Sequence, residues 1–396
     1  MTESKLHKLM KKRTKYVIGL MSGTSADGID TALVRIKESE QGIKIKLIAF
    51  DCLKYSPRIK NFILDCSQEN TVTVKDICRL NFLMGELFAQ AACHIVKKAK
   101  MNLEDIDLIG SHGQTICHLP DKEKISGVEI SSTLQVGEAS IIAEKTGIVT
   151  VSDFRPRDMA AGGEGAPLSA YVDFILYHSQ QEGIIALNIG GIANVTAIPA
   201  KAKEEDILAF DTGPGNMLID GLIKRVSGGN EVCDRNGVTA QQGEVVEEVL
   251  ARLMEHPFLS KSPPKSTGRE EFGEDYLNWI ITIAKGINWK DLICTITAFT
   301  AKSIASACKD FIFPVAPFTK MIVSGGGVHN KCLMNMLREE LPQIQIVSSD
   351  ELKIPADARE AISFAVLANE TIMQRPGNLP SATGAQKKVV LGKITL

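Results

Sequence analysis

The chain has no run of 18 or more apolar residues, so no transmembrane helix is expected. It has no charge excess either. Against 47 Asp and Glu stand 45 Lys and Arg, which leaves no field to draw nucleic acid or an anionic membrane. The nine cysteines (Cys52, Cys66, Cys78, Cys93, Cys117, Cys233, Cys294, Cys308 and Cys332) make no Cys-x-x-Cys pair. Neither a disulfide framework nor a zinc site is therefore expected, and a reducing cytoplasm is. His112, Cys117 and His118 match no zinc spacing. Residues 1–15, MTESKLHKLMKKRTK, are basic and lack an apolar core segment. They read as a flexible, solvated extension rather than a secretory signal. Two nucleotide signatures are missing as well. No Gly-x-x-x-x-Gly-Lys-Ser/Thr occurs, and the first glycine-rich turn leads into a strand where P-loop and Rossmann motifs need a helix.

What is present is ordinary in bulk and unusual in detail. A chain of 396 residues, 44 % hydrophobic and 23 % charged, reads as soluble and globular, and is long enough for two domains. Residues 16–36, YVIGLMSGTSADGIDTALVRI, form two extended runs joined through Asp27-Gly28, the sequence form of a β-hairpin. Its tip gathers two glycines, three hydroxyls and a carboxylate. Bare backbone N–H groups beside hydroxyls suit phosphate oxygens, although a polar turn without a ligand reads the same way. Residues 43–53 look like a third strand, and a helical stripe follows from Leu80 to Ile95. Residues 107–110 then read as a short buried strand that ends in the polar cluster 111–115. Ligands collect at such carboxyl ends in open α/β sheets, but so do plain turns. The stretch 153–168, DFRPRDMAAGGEGAPL, is expected to be irregular, either a substrate loop or a connector.

Residues 183–197, GIIALNIGGIANVTA, repeat the strand–glycine turn–strand form about 170 residues later. Two similar lobes, each opened by its own hairpin, follow from this pattern. Residues 207–210 read as a strand ending at Asp211, with a helix at 217–226. An acid there is placed like a catalytic base, or like a turn cap. An amphipathic helix is expected over 244–256. The basic loop 263–272 either contacts an anion or is solvated. Gly325, Gly326 and Gly327 follow another strand and precede a helix, an arrangement that lets a ligand approach the backbone. Asp357 and Glu360 form a capping-box pattern, the stronger local reading of Glu360.

Taken together, these features resemble the acetate and sugar kinase, Hsp70 and actin superfamily. Within it, MSGTSADGID, GSHGQT, DFRPRDMAAGGEGAPL, LNIGGIANVT, FDTGPGN, PKSTGRE, SGGGVHN and the DAREAISFA region are similar, in order, to the anhydro-N-acetylmuramic acid kinases. The resemblance implies an α/β fold of two RNase H-like lobes with mixed five-stranded sheets flanked by helices and an ATP cleft between them. The first lobe would span 16–165, completed by 357–396, and the second 166–356. Residues 129–135 would lengthen a loop. It further implies an ATP- and Mg²⁺-dependent cytoplasmic kinase of peptidoglycan recycling. Such an enzyme opens the 1,6-anhydro bridge of 1,6-anhydro-N-acetylmuramic acid with water and phosphorylates O6. By the same resemblance ATP falls to Gly23, Thr24, Ser25, Ala26, Asp27, Gly28, Ile29, Asp30, Asn188, Gly190, Gly191, Gly325, Gly326 and Gly327. Asp211 would be the catalytic base and Glu360 a second carboxylate. His112, Thr115, Arg155 and Asp158 would line the sugar pocket. A homodimer is left open. The rival readings are a kinase of another amino sugar, an Hsp70- or actin-like ATPase, and a glycosidase using Asp211 and Glu360.

Overall fold

The computed structural model describes residues 5–23, 25–40, 42–68 and 72–396. The chain divides into two compact units, Met1–Leu176 with Ala358–Leu396, and Tyr177–Asp357.

The first unit begins with helix α1 (Lys5–Lys11), then β1 (Thr14–Ser22), β2 (Gly28–Ser39) and β3 (Gly42–Lys54). Part of the basic extension is thus helical. The three strands pair antiparallel, as the alternation in 29–36 and 43–53 predicts. Two helices follow, α2 (Pro57–Cys66) and α3 (Val74–Lys98). The second starts before the apolar stripe does, because Thr73 and Asp76 exchange backbone and side-chain bonds in a capping box. Its stripe of Leu80, Met84, Phe88, Ala91 and Ile95 is buried with Ile18, Leu20, Leu33 and Ile109 in the core of this unit.

Next comes β4 (Leu108–Ile125), far longer than the four residues expected, folding back as β5 (Val128–Val136). The expected loop at 129–135 is therefore strand. β4 pairs with β1 through its first residues and with β5 through the rest, so its polar cluster lies inside a strand. Helix α4 (Ala139–Thr146) and β6 (Thr150–Ser152) lead to α5 (Phe154–Ala160) and α6 (Ser169–Tyr177). α5 replaces the first half of the irregular stretch expected at 153–168, while 161–168 lies outside helix and strand: Pro156 falls in the first turn of α5, where no N–H is needed, and Phe154 and Met159 are buried.

In the second unit β7 (Ile184–Ile189), β8 (Ile192–Ile198) and β9 (Leu208–Pro214) form the antiparallel half of a sheet. The helices are α7 (Met217–Val226), α8 (Glu247–Met254), α9 (Pro257–Ser260), α10 (Arg269–Phe272), α11 (Glu274–Ile283) and α12 (Trp289–Ala307). β10 (Lys320–Ser324), α13 (Lys331–Glu340) and β11 (Gln345–Ser348) complete it. The chain closes with α14 (Arg359–Ile372), α15 (Pro380–Thr383) and β12 (Lys393–Thr395), all within the first unit.

The second sheet has five strands in the order β11-β10-β7-β8-β9, parallel on one side of β7 and antiparallel on the other. The first has the same plan at its centre, β6-β4-β1-β2-β3, but seven strands rather than the five expected, because β12 pairs with β6 and β5 with β4. α14 lies on this sheet unusually closely. Gly19 on β1 and Gly110 on β4 are register partners. A Cβ on either would sit 1.8 Å from the Ala361 carbonyl oxygen or 2.1 Å from that of Phe364. Only glycine in both strands admits the helix. That seat places the first turn of α14, and Glu360 with it.

Candidate active site

The first hairpin turn is anchored at its root. The Ser22 hydroxyl is fully buried, lies 2.6 Å from Gln114 Oε1, and accepts a 2.9 Å bond from the Tyr55 hydroxyl. Gln114 Nε2 donates to the Gly23 carbonyl at 3.2 Å. Tyr55 had no role in the sequence reading, which counted Ser22 among the hydroxyls of the tip and Gln114 within the polar cluster 111–115. Beyond this root the stretch divides by function. A Cβ on Gly23 would meet no atom within 4 Å, so its backbone is open to a ligand. Ser25 and Asp27 are exposed, and Asp27 pairs with Lys60. Ala26 and Ile29 are core, and Gly28 lies against the Leu53 carbonyl. Asp30 is half-buried in β2. Thr24 lies outside the described residues.

The second turn is held mainly by backbone, with the Asn216 side-chain amide donating to the Ile189 carbonyl at 3.3 Å. The N–H groups of Gly215 and Met217 donate to the Gly191 carbonyl at 2.8 and 3.1 Å, and that of Asn216 to Gly190 at 2.8 Å. The two glycine carbonyls thereby cap the N-terminus of α7, whose first N–H groups have no partner within the helix. Asn188 is buried, with its side-chain oxygen 3.4 Å from the Ser324 hydroxyl that donates to it. Gly325, after β10, has φ +82°, and a Cβ there would lie 2.6 Å from that same oxygen. A short 3₁₀ turn, Gly326–His329, continues the chain, with Gly326 exposed and Gly327 packed on Ile189.

Asp211 sits within β9, not at its end. Strand pairing continues to Pro214 because a register shift opposite Ala193 and Asn194 absorbs one residue, and an edge strand tolerates the glycine and proline that looked like a turn. The Asp211 side chain is half-buried. Its N–H donates to the Lys265 carbonyl at 3.0 Å and its Oδ2 accepts from the Thr267 N–H at 2.9 Å. The basic loop thus wraps the acid. A carboxylate that accepts a backbone N–H in a partly dry setting can take a proton from water.

In the first unit, His112, Arg155 and Glu360 come together. His112 is buried and tilted against Phe364, with ring centroids 4.4 Å apart. Its Nε2 accepts from Arg155 Nε at 2.9 Å, so the proton is on Nδ1, 3.0 Å from the Gly113 carbonyl. Burial first, and the Arg155 charge second, hold this imidazole well below its ordinary pKa, in the neutral form. Arg155 also donates to the Gly165 carbonyl at 3.3 Å. Glu360 is half-buried, and burial raises its carboxyl pKa while Arg359 and Arg155 oppose the shift. The capping box expected at Glu360 is not formed. Ala358 occupies the N-cap of α14, with no side-chain cap bond, because the chain enters the helix through a 3₁₀ turn at Ala356–Ala358.

Thr115 is half-buried and accepts from Gln135 Nε2 at 3.3 Å. Asp158 is fully buried, and its oxygens accept from Asn378, Thr383 and the Gly165 N–H at 2.7 to 2.8 Å. Its bonds tie the segment after α5 to the C-terminal part of the unit. Among the described residues, no three His, Cys, Asp or Glu side chains are gathered closely enough to hold a metal ion.

The family model described as anhydro-N-acetylmuramic acid kinase matches residues 15–396. A Caldanaerobacter subterraneus protein of that name is 47 % identical over 394 residues, covering 99 % of this chain and all of that one. Namesakes from Bacillus cereus and Clostridioides difficile are 46 % and 44 % identical, each over 96 % of this chain and 99 % and 98 % of theirs. Likeness to solved structures is weaker. An activator of 2-hydroxyisocaproyl-CoA dehydratase from Clostridium difficile aligns at TM-score 0.43 and 13 % identity, over 90 % of this chain and 95 % of that one.

Proposed function

This chain belongs to the anhydro-N-acetylmuramic acid kinase family, and from that premise we propose that it uses ATP to open 1,6-anhydro-N-acetylmuramic acid and phosphorylate O6. The products are N-acetylmuramate 6-phosphate and ADP, a step that returns cell-wall sugar to cytoplasmic metabolism. Family membership over almost the whole chain carries the reading. The setting of Asp211 supports its chemical part.

Asp211 takes a proton from water as that water attacks the anomeric carbon. The C1–O6 bond breaks, its electron pair goes to O6, and O6 attacks the γ-phosphorus in line as the bond to ADP breaks. No proton has to reach O6. The Thr267 N–H fixes the oxygen of Asp211 that accepts it, which keeps the lone pair aimed. Glu360, whose carboxyl is held toward its neutral form, donates a hydrogen bond to the sugar beside Arg155 rather than acting as a second base. Thr115 offers a hydroxyl from β4, while His112 and Asp158 orient Arg155 and the 158–165 segment.

For the nucleotide, the open side of Gly23 and the exposed Gly191 receive phosphate oxygens, with Thr24 and Ser25 next in sequence to the first, while Gly190, whose N–H donates to the Ile192 carbonyl at 3.1 Å, fixes the second turn. Gly326, exposed at the start of its 3₁₀ turn, leaves room for the adenosine, and Gly325 and Gly327 let the chain pass close to Asn188 and Ile189 to present it. Ala26, Gly28, Ile29 and Asn188 shape these turns from within. Asp27, which pairs with Lys60, and Asp30 are the carboxylates of this turn that would hold Mg²⁺, and the ion would supply neutralisation of phosphate charge, a role that needs only one or two protein carboxylates.

The test is one incubation of the protein with the anhydro sugar, ATP and Mg²⁺ in ¹⁸O-water, read by mass spectrometry. Phosphorylated N-acetylmuramate carrying one solvent oxygen is expected. Phosphosugar without solvent oxygen would indicate an ordinary amino-sugar kinase, ATP turnover independent of sugar an actin- or Hsp70-like ATPase, and ring opening without ATP a glycosidase.

A further inference from the structure

Lys265 is the buried cation that the reaction scheme leaves unused. It is 7 % exposed. Its Nζ lies 4.8, 4.9 and 5.8 Å from the ring centroids of Phe258, Phe311 and Phe210. Among the described residues its hydrogen bonds go to two backbone carbonyls of α9, Phe258 at 3.1 Å and Leu259 at 3.0 Å. The charged groups around it are Asp310, Lys261, Asp211 and Glu271, and burial lowers its pKa to about 8. An ammonium held this way is costly, since the ring faces and two carbonyls replace only part of its hydration. A methionine would fill the same cage without that cost.

What the lysine achieves lies one peptide away. Its own carbonyl accepts the Asp211 N–H, and two residues on the Thr267 N–H holds Asp211 Oδ2. Thr267 is in turn bonded through its hydroxyl to Glu271 at 2.7 Å. Resting on the reading of Asp211 as the base, we propose that Lys265 is its positioning residue: the caged ammonium fastens the 263–268 segment to α9, and that segment sets both the backbone and the carboxylate of Asp211. Lys265 touches no reacting atom in this role.

The test compares wild type with Lys265→Met, Lys265→Arg and Asp211→Asn in steady-state phosphorylation and thermal melts. Lys265→Met is expected to lower kcat about 10- to 100-fold, the scale of an ångström-sized misplacement. KM for ATP should stay within about 2-fold and the melting temperature should hold or rise. The acidic limb of its kcat–pH profile moves to higher pH, because a cation near Asp211 is gone. Lys265→Arg recovers part of kcat and of the profile. If Lys265→Met does not fold, Lys265→Gln, which keeps an N–H donor for the α9 carbonyls, is measured for the same loss. Normal kcat and an unmoved profile in the neutral variant, alongside an inactive Asp211→Asn, would overturn the role of Lys265 alone. Full activity in Asp211→Asn would instead overturn the reading of Asp211, and a wild type that phosphorylates no sugar would overturn the proposed function.

Discussion

The two carboxylates singled out by the sequence sit in opposite surroundings. Asp211 accepts a backbone N–H, with a caged lysine close by. Glu360 accepts no hydrogen bond from the described residues, and burial pushes its carboxyl upward against two arginines. A hydrogen bond to the charged form favours ionisation, and dry surroundings oppose it. The two settings separate their roles: the carboxylate whose oxygen is held by a backbone N–H is suited to taking a proton, and the one that burial pushes upward is suited to donating a hydrogen bond. A glycosidase pair would show the same split, so ATP dependence, not geometry, divides those readings.

The most damaging change to this contrast is Asp211→Asn. It keeps the shape and the Thr267 contact but removes the base, and turnover should fall by roughly 10²- to 10⁴-fold. ATP binding, followed by nucleotide fluorescence, should survive. Turnover near that of wild type would end the assignment of Asp211.

Glu360 is tested by asking which protonation state works. If its neutral form donates, Glu360→Gln keeps an N–H donor and stays within about 10-fold of wild type, whereas Glu360→Ala loses on the order of 10²-fold. In wild type, kcat falls as pH rises through the raised carboxyl pKa, and in Glu360→Gln that limb disappears. Stability follows the same sign. The folded state holds this proton over a pH range where the unfolded chain, near 4.5, has released it, so stability declines as pH rises through that range. Glu360→Gln should therefore melt at or above the wild-type temperature at neutral pH. A Gln variant as inactive as Asp211→Asn would make Glu360 a second base.

How much of this could be read in the chain differs by the kind of signal. Strand–turn–strand alternation placed both hairpins and the third strand, because a two-residue period is a local property. Glycine and proline misled at two places. Gly113, at φ +81°, looked like the end of a strand but is a kink inside β4. Gly213 and Pro214 looked like a turn but lie in an edge strand that a bulge extends. Only the pairing partners decide such cases, and those are distant in sequence. Glu360 was given a cap by a pattern that ignores how a helix enters, and the Gly19–Gly110 seat that fixes its helix joins residues about 90 positions apart. Lys265 was the least legible. A lysine among Pro, Ser and Thr reads as solvated, and its three rings come from 210, 258 and 311.

The smallest expected effect concerns His112, which sharpens the first-unit side of the contrast. Both ring nitrogens are occupied by the protein, so the imidazole orients Arg155 instead of touching a ligand. His112→Phe keeps a ring against Phe364 but leaves the Arg155 Nε–H without its acceptor, a loss of about 1–3 kcal/mol where that group stays dry. KM for the sugar should rise about 10-fold with kcat changed less, while His112→Gln, which can accept from Arg155, stays within about 3-fold. Acid melts provide a second readout. Below its ordinary value of 6.5, the unfolded chain protonates His112 and the folded one does not, so the unfolded state binds more protons and stability falls as pH drops. His112→Phe should flatten this acid slope without abolishing it, because burial also lowers His118, to about 4, and His256. An unchanged sugar KM together with an unchanged slope would detach His112 from Arg155 altogether.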